Sequence, residues 1–189
     1  ALPFLAEAMR GPVRPGEGPG LIADLPAGAT HYRWSGPEDA PVAICVHGLS
    51  TPSYIFAATE RSLNGLGYRV LTYDLYGRGF SARPAARQTS AFFIRQLDAL
   101  IADQKIEGPF LLVGYSMGGA IGLRALIEGL PVSHAVFAAP MWGILMTSRQ
   151  RRMAAILPTL ARLARQHTRY TPGSRPIVYD PANGFTENP

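Results

Sequence analysis

The sequence predicts an α/β fold with a mostly parallel central sheet and helices on both faces. Three observations carry that expectation. Short continuous apolar runs ("VAICV", "YRVLTYD", "PFLLVGY", "SHAVFAAP") recur along the chain, the pattern of strands buried on both sides. Stretches of helical periodicity separate them, and strict strand–helix alternation implies right-handed crossovers between parallel strands. The chain has 189 residues, 47% hydrophobic and 16% charged, which suits a single folded core and not a disordered segment.

Residues 1–30 are rich in Pro and Gly and read as an N-terminal lead-in. "THYRWSG" alternates as a strand, "GPEDAP" turns, and "VAICV" is the first buried strand, broken by "HGLSTPS". "IFAATERSLNGLG" has Ile55, Phe56, Thr59, Leu63 and Leu66 at helical spacing and stops at Gly65 and Gly67. After "YRVLTYD" comes the loop "LYGRGFSARPAARQ". Next is a helix with Phe92, Phe93, Gln96, Leu97, Leu100 and Ile101 on its inner stripe and Ser90 as N-cap. "PFLLVGY" is followed by the helix "SMGGAIGLRALIEGL", and "SHAVFAAP" closes the alternation. The expected organisation is a lead-in over 1–30, a core over 31–142 and a lid or cap segment over 143–189, whose Met153, Ile156, Leu157, Leu160 and Leu163 stripe is kinked at Pro158.

A net charge of +5 is mildly favourable to anionic partners. The chain has no zinc-ligand spacing, no interleaved aromatic and basic surface pattern and no basic recognition helix outside one Arg-rich stretch, so nucleic acid is not an expected partner. The single cysteine, Cys45, excludes an internal disulfide, and the N-terminal apolar run is interrupted by Pro3 and Glu7. A cytoplasmic protein is expected. No metal site and no cofactor are expected, because "GYSMGG" lacks both the phosphate-loop lysine and dinucleotide spacing.

The stretch that carries chemistry is Gly114-Tyr115-Ser116-Met117-Gly118, a G-x-S-x-G sequence at a strand-to-helix junction. A sharp turn there strains the serine backbone and lifts its Oγ above the sheet, and glycines at 114 and 118 avoid collision with the crossing chain. The helix that follows offers unpaired N–H groups and a positive dipole end, making Met117 N–H the first expected oxyanion donor. The second donor belongs to another loop. His47-Gly48-Leu49, at the end of "VAICV", is where this architecture supplies it, through Leu49 N–H.

"VHG" ending one strand, "YDLYGRGFS" after the next and "GYSMGG" at the turn make the chain resemble the α/β-hydrolase family over residues 40–142. "GLRALIEGLPVSHAVFAAPMWGI", "RYTPG" and "GFTENP" are similar to its lysophospholipase and monoacylglycerol lipase (serine aminopeptidase-like) branch. The resemblance implies that Ser116 is the nucleophile of a serine esterase acting on lipid-like carboxylic esters. Tyr115, Met141 and Trp142 are candidates for the substrate pocket, with Ile144 and Leu145 near the lid entrance. It also implies a carboxylate and a histidine downstream. His31, read as a surface residue, His47, His134 and His167 do not fit the histidine position, and Asp180 in "PIVYDP" is only a stray candidate for the acid. The chain is therefore expected to be truncated before both. Two alternatives stay open: a carbon–carbon bond or other small-substrate hydrolase, and an inert homologue that binds or scaffolds.

The resemblance gives Asp74 the role of bracing its loop, with Arg78 serving the same loop, and Cys45 reads as a packed thiol. The segment with Arg149, Arg151, Arg152, Arg162, Arg165 and Arg169 is expected to be a solvated lid face or a peripheral contact with anionic lipid.

Overall fold

The computed structural model describes residues 19–141, residue 148, and the strand backbones of 177–180 and 184–187. The chain divides into two compact units, Gly11–Trp142 and a second made of Ala1–Arg10 with Gly143–Pro189.

In the first unit the elements run β1 (Leu21–Leu25), β2 (Gly28–Ser35), β3 (Val42–Val46), a 3₁₀ turn (Ser53–Phe56), α1 (Ala57–Gly65), β4 (Arg69–Tyr73), α2 (Ser90–Asp103), β5 (Phe110–Tyr115), α3 (Met117–Ile127) and β6 (Val132–Ala138). The six strands form one sheet in the order β1-β2-β4-β3-β5-β6. β3 through β6 are parallel where they pair, whereas β1 and β2 join antiparallel at one edge. The sheet therefore begins at Leu21, inside the stretch the sequence presents as a lead-in. In the second unit β7 (Ile177–Asp180) and β8 (Gly184–Glu187) form an antiparallel pair of their own, which is where Asp180 lies.

Each buried strand divides its side chains between two cores. On β3, Ile44 and Val46 enter one core and Ala43 and Cys45 the other; β5 does the same with Phe110 and Leu112 against Leu111 and Val113. The larger core holds Phe92, Phe93, Leu97 and Leu100 of α2 with Ile121 and Ala125 of α3. The smaller holds Leu63 of α1 and Phe56 of the 3₁₀ turn before it. Period-two alternation with apolar residues on both sides is what a sheet covered on both faces requires.

Three details differ from the sequence reading. β6, expected as a strand buried on both sides, is exposed at Ser133, His134, Ala135, Val136 and Ala138, because among the described residues no further strand lies beyond it. The other two lie at helix ends. Leu66 lies just beyond α1 and is 75% exposed, because the helix ends at Gly65 before its apolar stripe is complete. The cap of α2 is Thr89, whose side chain accepts from Phe92 N–H at 3.3 Å, one residue before the expected Ser90.

The connections also locate a crevice. From β3 the chain passes through α1 to β4 on one side, and from β4 it crosses through α2 to β5 on the other. Direction reverses between β3 and β5, and ligands of open parallel sheets bind beyond the carboxyl ends of strands at such a switch point. The turn after β3 carries His47, Gly48 and Leu49; the turn after β5 carries Ser116.

Candidate active site

Ser116 is the single residue between β5 and α3, with φ 52° and ψ −117°. A positive φ is unusual for a residue with a Cβ and is held only when surrounding contacts determine it. Those contacts are specific. Ser116 N–H donates to Ala138 O at 3.0 Å at the end of β6, and Ser116 O accepts from Gly119 N–H, Ala120 N–H and Met141 N–H at 3.1, 3.3 and 3.0 Å.

The flanking glycines answer to close approach. A Cβ on Gly114 would stand 2.7 Å from Gly119 Cα, and one on Gly118 would overlap Val46 O and come within 2.5 Å of His47 O. Gly118 thus lets α3 settle directly on the end of β3. Met117 opens α3, so its N–H has no acceptor within the helix and faces outward with the positive end of the dipole.

The turn after β3 is built around His47, which is fully buried. Leu75 N–H donates to its Nε2 at 2.9 Å, so the ring proton resides on Nδ1 and is donated to Gly48 O at 2.8 Å. Burial holds the ring neutral and brings its pKa down to about 4, against the opposing pull of Asp74. Because a trans peptide directs its C=O and N–H oppositely, fixing Gly48 O on His47 turns Leu49 N–H away from the buried ring. Gly48 itself lies against the serine: a Cβ there would be 3.1 Å from Ser116 Cβ. The structure therefore brings Ser116, Met117 and the Gly48–Leu49 turn together. Tyr115 precedes the serine and Leu49 follows Gly48, the residue packed against it; both are 36% exposed. Met141 is half-buried and tied to Ser116, whereas Trp142, Ile144, Leu145, His167 and the arginines from 149 to 169 lie outside the described residues.

Asp74 supports this arrangement from below. One carboxylate oxygen accepts from Ser53 N–H at 2.8 Å, and the other from Phe80 N–H and His31 Nδ1, both at 2.9 Å. Burial acts to raise its pKa, but the hydrogen bonds from His31, Ser53 and Phe80 outweigh it and hold the carboxyl below its ordinary value.

His31 is not a surface residue. It sits on β2 at 5% exposure, with Nδ1 on Asp74 and Nε2 3.0 Å from Pro19 O. Both nitrogens face acceptors, an arrangement that favours the doubly protonated ring. Its pKa is raised accordingly: burial opposes the charge, and the Asp74 carboxylate and Pro19 carbonyl overcome it. Gln96, on the inner stripe of α2, accepts from Tyr76 N–H and donates to Thr30 Oγ1 and Asp74 O. A polar residue within an apolar stripe was the signal for that role.

The remaining candidates fall elsewhere. His134 pairs with Leu111, four residues before the Tyr115–Ala138 pair, which is about 13 Å down the strand from the turn. Cys45 is buried within β3, and burial, with the charge of Glu60, pushes its thiol up to about 12. Among the described residues no group of His, Cys, Asp and Glu could hold a metal ion, and no helix is long and apolar enough to cross a membrane.

Residues 43–188 match the profile of the alpha/beta hydrolase family. The chain belongs to this family. A haloalkane dehalogenase from Mycobacterium marinum is 32% identical over 152 residues, covering 79% of this chain and 48% of that protein. The enol-lactonase of Burkholderia xenovorans superposes with a TM-score of 0.57 at 26% identity, over 60% of this chain and 44% of the lactonase. An esterase from Exiguobacterium antarcticum gives 0.64 at 19% identity, over 76% and 56%, a likeness of fold. This alpha/beta hydrolase chain spans about half the length of each of these three proteins. The lysophospholipase and monoacylglycerol lipase branch is not among these relatives.

Proposed function

We propose that this chain carries the nucleophile and oxyanion side of a serine hydrolase that cleaves carboxylic esters through an acyl-enzyme on Ser116. The observation that carries the reading is the positive-φ serine between β5 and α3, packed against the Gly48–Leu49 turn. Ser116 Oγ attacks the ester carbonyl carbon, and the carbonyl π electrons move onto oxygen. Met117 N–H and Leu49 N–H receive the resulting oxyanion. Collapse expels the alcohol, and water then releases the acid from the serine ester. The proton leaving Oγ requires a base other than His31 and His47, whose ring nitrogens are all engaged, and other than His134, which sits four residues down β6 from the serine turn.

A hydroxyl in this position also selects among the reactions of the relatives. Displacement of a halide from a haloalkane by Oγ would leave an alkyl ether on the serine. Such an ether has no electrophilic carbonyl for water to attack, and the enzyme would stop after one event. An ester or an enol-lactone gives a serine ester that water can cleave. The lipid-like end of this class is supported by Tyr115 and Leu49, which offer exposed apolar surface beside Ser116.

The test is labelling by a fluorophosphonate, followed by hydrolysis of 4-nitrophenyl esters from acetate to laurate, with 1-bromobutane as the alkyl comparison. Labelling lost in Ser116→Ala and preference for longer acyl chains are expected. A folded wild-type chain that never labels would favour the inert, binding-only homologue, and bromide release with turnover would overturn the acyl reading.

A further inference from the structure

Building on the serine-hydrolase reading, we propose that Arg78 is a positioning residue for the oxyanion donor Leu49, fixing its backbone from the side opposite His47 and placing a buried positive charge behind it.

Arg78 is 1% exposed in the loop after β4. Its Nε donates to Leu49 O at 3.1 Å, and its Nη1 donates to Tyr76 O at 2.8 Å and Gln88 Oε1 at 2.6 Å. The guanidinium carbon stands 5.4 Å from the ring centroid of Phe93. Gly79, at φ +48°, keeps the loop tight; a Cβ there would overlap the Asp74 carboxylate. Asp74 thus anchors the loop, and the loop delivers Arg78 to Leu49.

The two peptide planes that flank Leu49 Cα are held by different side chains. His47 Nδ1–H fixes Gly48 O on the N-terminal side, and Arg78 Nε–H fixes Leu49 O on the C-terminal side. With both planes fixed, φ and ψ of Leu49 are fixed, and so is the direction of its N–H. Preorganised donors stabilise developing charge because they need no rearrangement as the reaction proceeds. The guanidinium is always protonated, and its charge reaches this turn, since it is among the influences that disfavour protonation of His47. The same field favours an oxyanion at Leu49 N–H.

A purely structural arginine would brace the loop without governing the rate at Ser116, and three variants of the 189-residue chain separate the two roles. Arg78→Met keeps bulk without charge or donors. Arg78→Lys keeps the charge but cannot reproduce the guanidinium's separate Nε and Nη1 contacts. Gln88→Ala removes one Arg78 partner and leaves the Leu49 contact. The readouts are the rate of fluorophosphonate labelling, the thermal midpoint and the amide resonance of Leu49 by NMR.

Arg78→Met is expected to label roughly 10- to 100-fold more slowly, less than the roughly 100- to 1000-fold cost of losing an oxyanion donor outright because the Leu49 N–H is displaced and not removed. Arg78→Lys should fall between it and wild type, and Gln88→Ala should match wild type. The Leu49 amide should shift and broaden in Arg78→Met and stay in place in Gln88→Ala. Labelling of Arg78→Met or Arg78→Lys at the wild-type rate would overturn the proposal, as would slowing in Gln88→Ala equal to that in Arg78→Met. If Arg78→Met does not fold, Arg78→Lys carries the test. An unlabelled wild-type chain would instead defeat the serine-hydrolase reading, while the Leu49 amide would still report whether Arg78 orders it.

Discussion

At the scale of single residues, Ser116 shows how the site trades stability for geometry. Its φ of 52° costs a residue with a Cβ on the order of 1–3 kcal/mol, and glycine adopts that backbone without the same penalty. Ser116→Gly is therefore expected to raise stability by about 1 kcal/mol or more in urea unfolding while abolishing fluorophosphonate labelling. Ser116→Ala should abolish labelling without a comparable gain, because its Cβ keeps the strain. Equal stability of the glycine and alanine variants would show that the turn is not strained. Gly118 presents the opposite case. A methyl group there meets the backbone carbonyls of Val46 and His47, atoms that cannot swing aside as a side chain could. Gly118→Ala should lose about 2 kcal/mol or more and label poorly, because α3 must move off the end of β3. Unchanged unfolding of that variant would contradict the close packing of helix on strand.

At the scale of elements, the loop after β4 joins β2, the turn after β3 and α2 through Asp74, His31, His47 and Gln96, and its two histidines have opposite pH signatures. His31 has a folded pKa above its unfolded value of about 6.5. The folded state then holds the extra proton, and the stability His31 contributes is complete below about 6.5 and declines as pH rises through the folded value. His47 titrates at about 4 when folded. Between that value and about 6.5 the unfolded chain binds the extra proton, so stability falls with falling pH, by up to on the order of 3 kcal/mol. Asp74, held low, adds a further loss as pH falls below about 4. Stability should peak near pH 6.5. His31→Asn should flatten the alkaline limb and His47→Asn the acid limb, as read by urea midpoints across pH; a wild-type profile with no slope on either side would refute both assignments. The same network marks the limit of what the sequence reveals. The buried strands β3, β4 and β5, α2, α3 and the serine turn were legible because each follows from a local pattern of apolar spacing and glycine placement, whereas the apolar run of β6 suggested a burial that its exposed residues 133–136 do not have. β1 was hidden, since five residues beside Pro26 and Gly28 look like loop until pairing with β2 is known. The burial of His31 was hidden too, because its partner Asp74 is 43 residues away and only the β2–β4 pairing brings them together.

At the scale of the whole molecule, the two edges of the six-stranded sheet are unlike. β1 is short, exposes Asp24 and is followed by Pro26, features that discourage further pairing. β6 pairs with β5 on one side, and among the described residues no strand pairs with the other. Ser133, His134, Ala135, Val136 and Ala138 are exposed along it, with Val136 at 54%. This strand also supports the active-site turn, since Ala138 O accepts from Ser116 N–H. A seven-residue edge without Lys, Glu or Pro is a template for another strand. The 189-residue chain should therefore self-associate with rising concentration, as measured by sedimentation velocity. Val136→Lys places a charge where a second strand would dock and should reduce that association. Because Val136 already faces outward, the change should move stability by no more than about 0.5 kcal/mol. Labelling of Ser116 should survive it, for the Ala138–Ser116 hydrogen bond lies two residues further along. A wild-type chain that stays monomeric at high concentration, or a lysine variant that associates just as strongly, would show that the outer edge of β6 does not govern assembly.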